Sequence, residues 1–298
     1  MNILKINRDF GTQEKCIKQL EKVRWNGTPI CPYCKSNKSS KGKGRYYTCL
    51  NFKCKNGFSV TVGTLFHDTK VPLQKWFLAI SLILDAKKGV SALQLQRNLE
   101  IGSYITAWRM LRLIRTAMGE VEMSKYFKGI VEMDETYVGK KPKRNSGSKR
   151  GRGTDKTPIV GIVDREEKKY FAQIALPNEE GKKISGKQLL EILDKVTGKK
   201  SVTVMTDEFT SYNILKKEKR YTHKVINHSK EFVNGDIHTN NIENFWLQFK
   251  RGLYGVYHSM SKKYLQQYIN EFCFRYNNRN EAAAFDLLLQ RALLIKSC

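Results

Sequence analysis

"GIVEMDETYVG", residues 129–139, is a run rich in β-branched residues with acids set inside it. Strand alternation puts Ile130, Glu132, Asp134, Thr136 and Val138 on one face. An acid inside such a run is costly unless it faces a partner or a metal. Asp134 therefore marks a strand that carries chemistry. Short runs of the same kind follow: "PIVGIVD" at 158–164, "KYFAQIAL" at 169–176 and "SVTVMTD" at 201–207. Helical "GKQLLEILDKV", 186–196, precedes the last of them, and two helical stretches, 240–252 and 261–294, close the chain. Strands first and helices after, with one helix inserted, predict a mixed α/β domain.

Two further acids stand out. Asp207 ends its run where a strand gives way to a helix or loop, and ligands collect at strand ends in open α/β sheets. Glu243 is the lone acid of "HTNNIENFWLQFKRG", 238–252, near the start of an amphipathic helix. Residues seven apart on a helix differ by only about 20° in direction, so Lys250 shares its face about 10 Å along the axis. Magnesium takes hard oxygen ligands, and two or three carboxylates plus a substrate phosphate suit it. Two such ions serve in-line displacement at a phosphodiester. Other acids lose on context: Asp164 in "VDREEKKY" reads as a hairpin turn, and Glu135 and Glu208 are expected to point elsewhere. His228, His238 and His258 are either phosphate contacts or structural.

The chain has 298 residues with 54 basic against 28 acidic, a formal charge of +26 spread over much of its length. Such a balance points to a polyanionic partner, most often nucleic acid. The opening "MNILKINRDFGTQEK" lacks an apolar stretch with a cleavage site, so no signal peptide is expected. The most apolar run, 76–86, is too short to span a bilayer. A cytoplasmic, nucleoid-associated protein with no membrane partner is the expectation.

Of seven cysteines, Cys31, Cys34, Cys49 and Cys54 form two close pairs, which predicts a structural zinc ribbon with Zn²⁺ on four thiolates. The ribbon's bases (Lys35, Lys38, Lys41, Lys43, Arg45) and Tyr46 and Tyr47 are either DNA contacts or plain surface. Cys16, Cys273 and Cys298 show no partner pattern. Residues 91–120 read as a helix, a turn at "EIGS" and a second helix, with Leu93, Leu95 and Leu99 facing Ile105, Trp108 and Leu111. Arg109, Arg112 and Arg115 form a basic stripe there, the layout of a recognition helix in a major groove. The segment 139–153 holds Lys140, Lys141, Lys143, Arg144, Lys149, Arg150 and Arg152 and no acid, so it is either a solvated linker or a DNA-clamping arm. Four regions are expected: a helical lead-in at 1–24, the ribbon at 25–66, the helix-turn-helix region at 67–122, and a catalytic domain at 123–298.

"CPYC…C…C", "VEMDETYVG", "VMTDEFTSY", "INHSKEFV" and "HTNNIENFWLQFKRGLYGVYH" stand in an order that resembles insertion-sequence transposases with a DDE acid triad, of the Merlin-like superfamily with an ISXO2-like domain. The resemblance runs from about 25 to 280. It implies a ribonuclease-H-like catalytic domain using Mg²⁺ or Mn²⁺, with Asp134, Asp207 and Glu243 as metal-binding acids and Lys250 as the trailing base. It implies hydrolytic cleavage at element ends and attack of the freed 3′-hydroxyl on target DNA. The partners implied are double-stranded DNA, as terminal inverted repeats and target, and a dimer or larger synaptic complex. Lys250 and Arg251 would meet that DNA. One departure is visible, Lys140 where a second glycine would follow "DETYVG". The alternatives are a DNA-binding regulator derived from a transposase and a ribonuclease-H-like nuclease; inverted repeats flanking the gene would favour the first reading over both.

Overall fold

The computed structural model describes residues 3–119, 127–139, 156–175, 184–226, 238–281 and 283–295. The chain divides into two compact units, Met1–Gly119 with Asn278–Cys298, and Glu120–Asn277.

In the first unit, α1 (Ile3–Phe10) leads to α2 (Gln13–Trp25), which is capped by the Thr12 hydroxyl accepting from Lys15 N–H. A small antiparallel sheet follows, with β2 (Tyr46–Cys49) between β1 (Ser39–Lys41) and β3 (Gly57–Ser59). Trp25 meets Tyr47 and Phe58 edge-on, and the Tyr47 hydroxyl donates to Glu21. The end of the lead-in thus packs on the ribbon through one aromatic cluster. Next come α3 (Leu73–Asp85), α4 (Ala92–Asn98), with the Ser91 side chain as its cap, and α5 (Tyr104–Ala117). Glu100 takes a left-handed φ of 47° in the turn between α4 and α5. The buried contacts of this pair differ from expectation. Leu95, Leu99 and Leu111 are buried, but Leu93 and Ile105 are exposed, and Ala107, Met110 and Ile114 fill the core instead.

The last helix, α9 (Ala284–Leu294), also belongs to this unit. Its Phe285 packs against Phe10 and Phe77, and Leu65 N–H donates to the Ala292 carbonyl. The catalytic region expected to run to 298 therefore ends as a compact unit at Asn277, because α9 buries its apolar face among N-terminal helices.

The second unit is built on a mixed five-stranded sheet in the order β6-β5-β4-β7-β8. These are β4 (Ile130–Val138), β5 (Thr157–Asp164), β6 (Lys169–Ile174), β7 (Val202–Thr206) and β8 (Tyr221–Val225). The first three form an antiparallel meander, while β7 and β8 run parallel to β4. That is the ribonuclease-H-like plan. On one face, α6 (Gly186–Thr197) is started by a Ser185–Gln188 capping box and buries Leu189 and Leu193 against Val131, Met133, Val160 and Ile162. On the other, α7 (Asn240–Gly252) and α8 (Leu265–Asn277) bury Ile242, Phe245, Trp246, Phe249, Ile269 and Phe272 against Ile159 and Val163.

The single helix expected over 261–294 is interrupted after Asn277. That residue is spent on the sheet: its side chain accepts from Tyr170 N–H at 2.6 Å and donates to the Tyr170 carbonyl at 2.9 Å. Gln266 does the same for Ile174 N–H and the Ala172 carbonyl. Both satisfy the outer edge of β6, which would otherwise present unpaired backbone groups.

Candidate active site

The parallel ladder between β4 and β7 places Asp134 and Asp207. Its last paired residues are Glu132 and Met205, and continuing both strands by two residues brings the aspartates side by side. Asp134 pairs across the other side of β4 with Gly161. Gly161 has no Cβ for a structural reason, since one there would stand 2.8 Å from Ile242 Cδ1 and from Trp246 Cη2, both on α7. The bare backbone lets α7 lie close on the sheet beside Asp134.

Within α7, Ile242, Phe245, Trp246 and Phe249 face the sheet, and Glu243 and Lys250 flank that stripe together. The three acids influence one another electrostatically. Asp134 is held well above the usual carboxylate range, first by burial and then by the charges of Glu135, Asp207 and Glu243. Burial lowers Lys250, and Asp134 partly restores it while Lys156 opposes it. The lone carboxylate on α7 thus stands within the field of the strand acids, with Lys250 in the same field. Asp207 is fixed by accepting from Phe209 N–H at 3.0 Å, and Glu243 accepts from the Thr239 hydroxyl at 2.6 Å.

The neighbouring acids are also placed. Glu135 accepts from the buried Tyr212 hydroxyl at 2.9 Å, and burial with the charges of Glu135, Asp134 and Asp207 raises that phenol well above its usual range. Glu208 is exposed. Asp164 accepts from Glu166 and Glu167 N–H, organising the expected hairpin turn, and also from Lys128 N–H. His258 is exposed, His238 lies against Glu132, and His228 is outside the described residues.

One acid on this face has no counterpart in the sequence expectations. Glu132 is fully buried, and its carboxylate accepts from Asn241 and Ile242 N–H and from Arg165 Nε. The signal was present, because Glu132 shares the alternating face with Asp134. Nothing local shows that its partner is a helix start more than a hundred residues on.

The four expected cysteines do meet. Their sulfurs all lie within 4.8 Å of one another, with Cys31–Cys54 at 3.8 Å and Cys34–Cys49 at 3.5 Å. Zinc–thiolate bonds of about 2.3 Å in a tetrahedron require sulfurs about 3.8 Å apart. Left-handed Lys35 and Lys55 directly follow Cys34 and Cys54, turning the chain back at both knuckles. Burial pushes the Cys49 thiol up to about 12, so a thiolate there needs a cation beside it. The donor set fits structural Zn²⁺ with every position closed. Among the described residues, these cysteines are the metal-ligating side chains that converge three or more together. The triad is looser: a shared field, not a closed cage.

The basic stripe on α5 is only partly offered to solvent. Arg109 is exposed, Arg112 lies over the Trp108 ring at 5.6 Å, and Arg115 is buried and donates to the Val90 carbonyl. Steps of three fall about 60° short of a full turn, so the third arginine has rotated about 120° from the first, toward the core. A groove-reading role does not suit Arg115 in this conformation. Arg251 is exposed at the end of α7. The segment carrying Lys140, Lys141, Lys143, Arg144, Lys149, Arg150 and Arg152 lies outside the described residues. No described helix is long and apolar enough to cross a membrane.

Residues 126–277 match the ISXO2-like transposase domain, and residues 11–56 the transposase zinc-ribbon domain. Over 284 residues the chain is 28% identical to an uncharacterized protein in transposable element ISH50 of Halobacterium salinarum, covering 90% of this chain and 92% of that one. Among solved structures, a pre-cleavage Mos1 transpososome and the Mos1 strand transfer complex each align over 72% of this chain and 78% of theirs. Their identities are 15% and 14% and their TM-scores 0.27 and 0.29, so the fold assignment rests on the strand order described above. The domain match runs from just before β4 to the end of α8, more than half of the chain, and on it the chain belongs to the ISXO2-like transposase family.

Proposed function

We propose that this transposase-family protein cuts double-stranded DNA at the ends of its element and joins the freed 3′-hydroxyls to target DNA, with Mg²⁺ or Mn²⁺ held by Asp134, Asp207 and Glu243. The observation that carries the reading is the shared field of three carboxylates, one inside β4 just past the end of its parallel ladder, one directly after β7 and one on α7. Hard oxygen donors, one of them kept from ionising by burial first and by its neighbours' charges second, fit a divalent cation that would favour the charged form. When bound, such ions activate an attacking oxygen and stabilise a leaving one.

The protein's own share is placement. In the first step a water oxygen bonds to phosphorus at the element end, the P–O3′ bond breaks, and the 3′ oxygen leaves as a hydroxyl. In the second, that hydroxyl bonds to a target phosphorus and displaces the target's 3′ oxygen. Lys250 supplies positive charge beside Asp134 for the phosphate, and Arg251 extends it. Exposed Arg109 on α5 and the basic segment 140–152 are assigned to DNA held outside the site. Joining two ends requires two active sites, so the working form is a dimer or larger complex on DNA.

The test is incubation of purified protein with the flanking DNA of its own gene and a target plasmid, in Mg²⁺, Mn²⁺ or Ca²⁺, beside Asp207→Asn. Cleavage at the flanks and joining to the plasmid in Mg²⁺ or Mn²⁺, lost in the variant, is the expected result. Binding to the flanks with no cleavage in either metal would overturn it.

A further inference from the structure

Glu132 stands two residues before Asp134 on the same strand face, fully buried. Its Oε2 accepts from Asn241 N–H at 2.9 Å and Ile242 N–H at 3.1 Å, and its Oε1 from Asn241 Nδ2 at 2.7 Å. Arg165 Nε pairs with Oε1 at 2.7 Å, while Arg165 Nη2 donates to the His238 carbonyl at 2.6 Å. His238 Nδ1 lies 3.3 Å from Oε1. The chain's entry into α7 is therefore tied to the sheet on both sides of Thr239.

The first N–H groups of a helix have no partners within it and are ordinarily capped by a residue just before them. Here the cap residue, Thr239, makes no such bond, and its hydroxyl goes instead to Glu243. Asn240 N–H is capped locally by His238 Nδ1 at 3.4 Å, and the next two N–H groups are capped from β4. A local cap would serve helix stability equally well, but it would add no polar tie between the helix start and the sheet beyond the apolar packing of α7. A buried ion pair contributes little net stability, and its best-attested use is to fix register.

We propose that Glu132 is a positioning residue for the acid site, clamping the start of α7 to β4 so that Glu243 stands at a fixed place beside Asp134. Glu132 is two strand residues from Asp134, about 7 Å. Its helix partner Asn241 is two residues from Glu243, about 3 Å of axial rise. One carboxylate thus sets the separation of the first and third acids. Arg165 neutralises it, so the clamp does not act as a fourth acid of the site. The proposal rests on the triad holding the divalent cation.

The test compares wild type with Glu132→Ala, Glu132→Gln, Asp207→Asn and, as control, Glu271→Gln. Glu271 is another fully buried acid of this unit, held by Tyr257 and Arg275 on α8. Hydrogen exchange at Asn241 and Ile242 is read without metal, Mn²⁺ binding from the free-ion resonance signal, end binding in Ca²⁺, and cleavage against Mn²⁺ concentration. In Glu132→Ala, exchange at those two amides should rise and Mn²⁺ binding should weaken about tenfold or more, as for lost outer-shell partners. Cleavage at saturating Mn²⁺ should fall about 100-fold, the scale of a misplacement near 1 Å. End binding should stay within about twofold of wild type, well under the tenfold that 1.4 kcal/mol represents. Glu132→Gln keeps an acceptor for the helix and should fall between; it carries the test if the alanine variant fails to fold.

The positioning role is overturned if the Glu132 variants match wild type in Mn²⁺ binding and cleavage while Asp207→Asn is inactive. It is equally overturned if Glu271→Gln shifts Mn²⁺ binding as far as Glu132→Ala. Wild-type protein that neither holds Mn²⁺ nor cleaves would instead overturn the metal reading, and the clamp's purpose with it.

Discussion

Gly161→Ala adds one methyl group where the sheet lies against α7, opposite Asp134. The new Cβ would stand 2.8 Å from Ile242 Cδ1 and from Trp246 Cη2, with Trp246 Cζ2 closer still. Carbon atoms rest about 3.5–4.0 Å apart, so something must yield by about 1 Å. The isoleucine tip can turn, but the Trp246 ring is buried among Phe245, Phe249 and Ile159 and has nowhere to swing. Overpacking of this kind costs about 1–3 kcal/mol. If α7 lifts, Glu243 lifts with it, and a shift near 1 Å is worth about 100-fold in rate. The sign makes the test sharp. In a strand with room to spare, replacing glycine by alanine stabilises by roughly 0.4–1 kcal/mol. Urea unfolding of the two proteins, with cleavage of an end duplex in Mn²⁺, reads both effects, and binding of that duplex in Ca²⁺ should be retained. A variant as stable as wild type or more so, cleaving at the wild-type rate, would refute the claim that this glycine seats α7.

Two further outcomes follow from ionisation and thiolate chemistry. Asp134 is raised in the folded state, by burial first and then by Glu135, Asp207 and Glu243, so the native protein binds its proton more tightly than the unfolded chain does. Its contribution to apo stability is therefore fullest below the unfolded value, near 3.9, and is lost as pH rises through the raised native value. Thermal unfolding without metal should show Asp134→Asn gaining on wild type as pH rises above the unfolded value of about 3.9, and Mn²⁺ binding to wild type should tighten in the same direction; parallel curves for the two proteins would contradict the raised Asp134 carboxyl. For the ribbon, elemental analysis of Cys49→Ser should show the loss of about one zinc per chain, since four thiolates hold one ion. Exchange across Tyr46–Cys49 should rise with it, and retention of zinc by that variant would overturn the four-thiolate assignment.

Much of the second unit was legible because its signals are local. Alternation in "IVEMDETYV", the fully buried texture of "TPIVGIVD" and the apolar spacing of "GKQLLEILDKV" appear as β4, β5 and α6 at nearly the expected bounds. The cysteine pairs were legible for the same reason, since each knuckle encodes its own turn. Strand β8, "YTHKV", was missed because it is short and mostly exposed, and its pairing with β7 supplies what its side chains do not. The break after Asn277 was missed because helical spacing continues through a residue whose side chain is used as a strand partner. Arg115 was misplaced by reading steps of three as a straight stripe, when the helix turns that row into the core.

The acid site divides along the same line. Asp134 and Asp207 could be singled out because each violates its surroundings, an acid in a strand and an acid at a strand end, and Glu243 because it is alone among aromatics and amides. Glu132 violates its surroundings just as strongly, yet sequence gives no ground for separating it from Asp134. The separation is geometric. Glu132 lies back within the β4–β7 ladder, where a carboxylate is enclosed and must be neutralised by Arg165 and the α7 amides. Asp134 lies two residues beyond the end of that ladder, partly exposed, with the charges of Glu135, Asp207 and Glu243 in its field and Lys250 in the same field. Moved two residues along one strand, the same chemical group changes from a satisfied anchor to one that resists ionisation. On the proposed reading, where the parallel ladder ends decides which acid holds the helix and which is left for the metal.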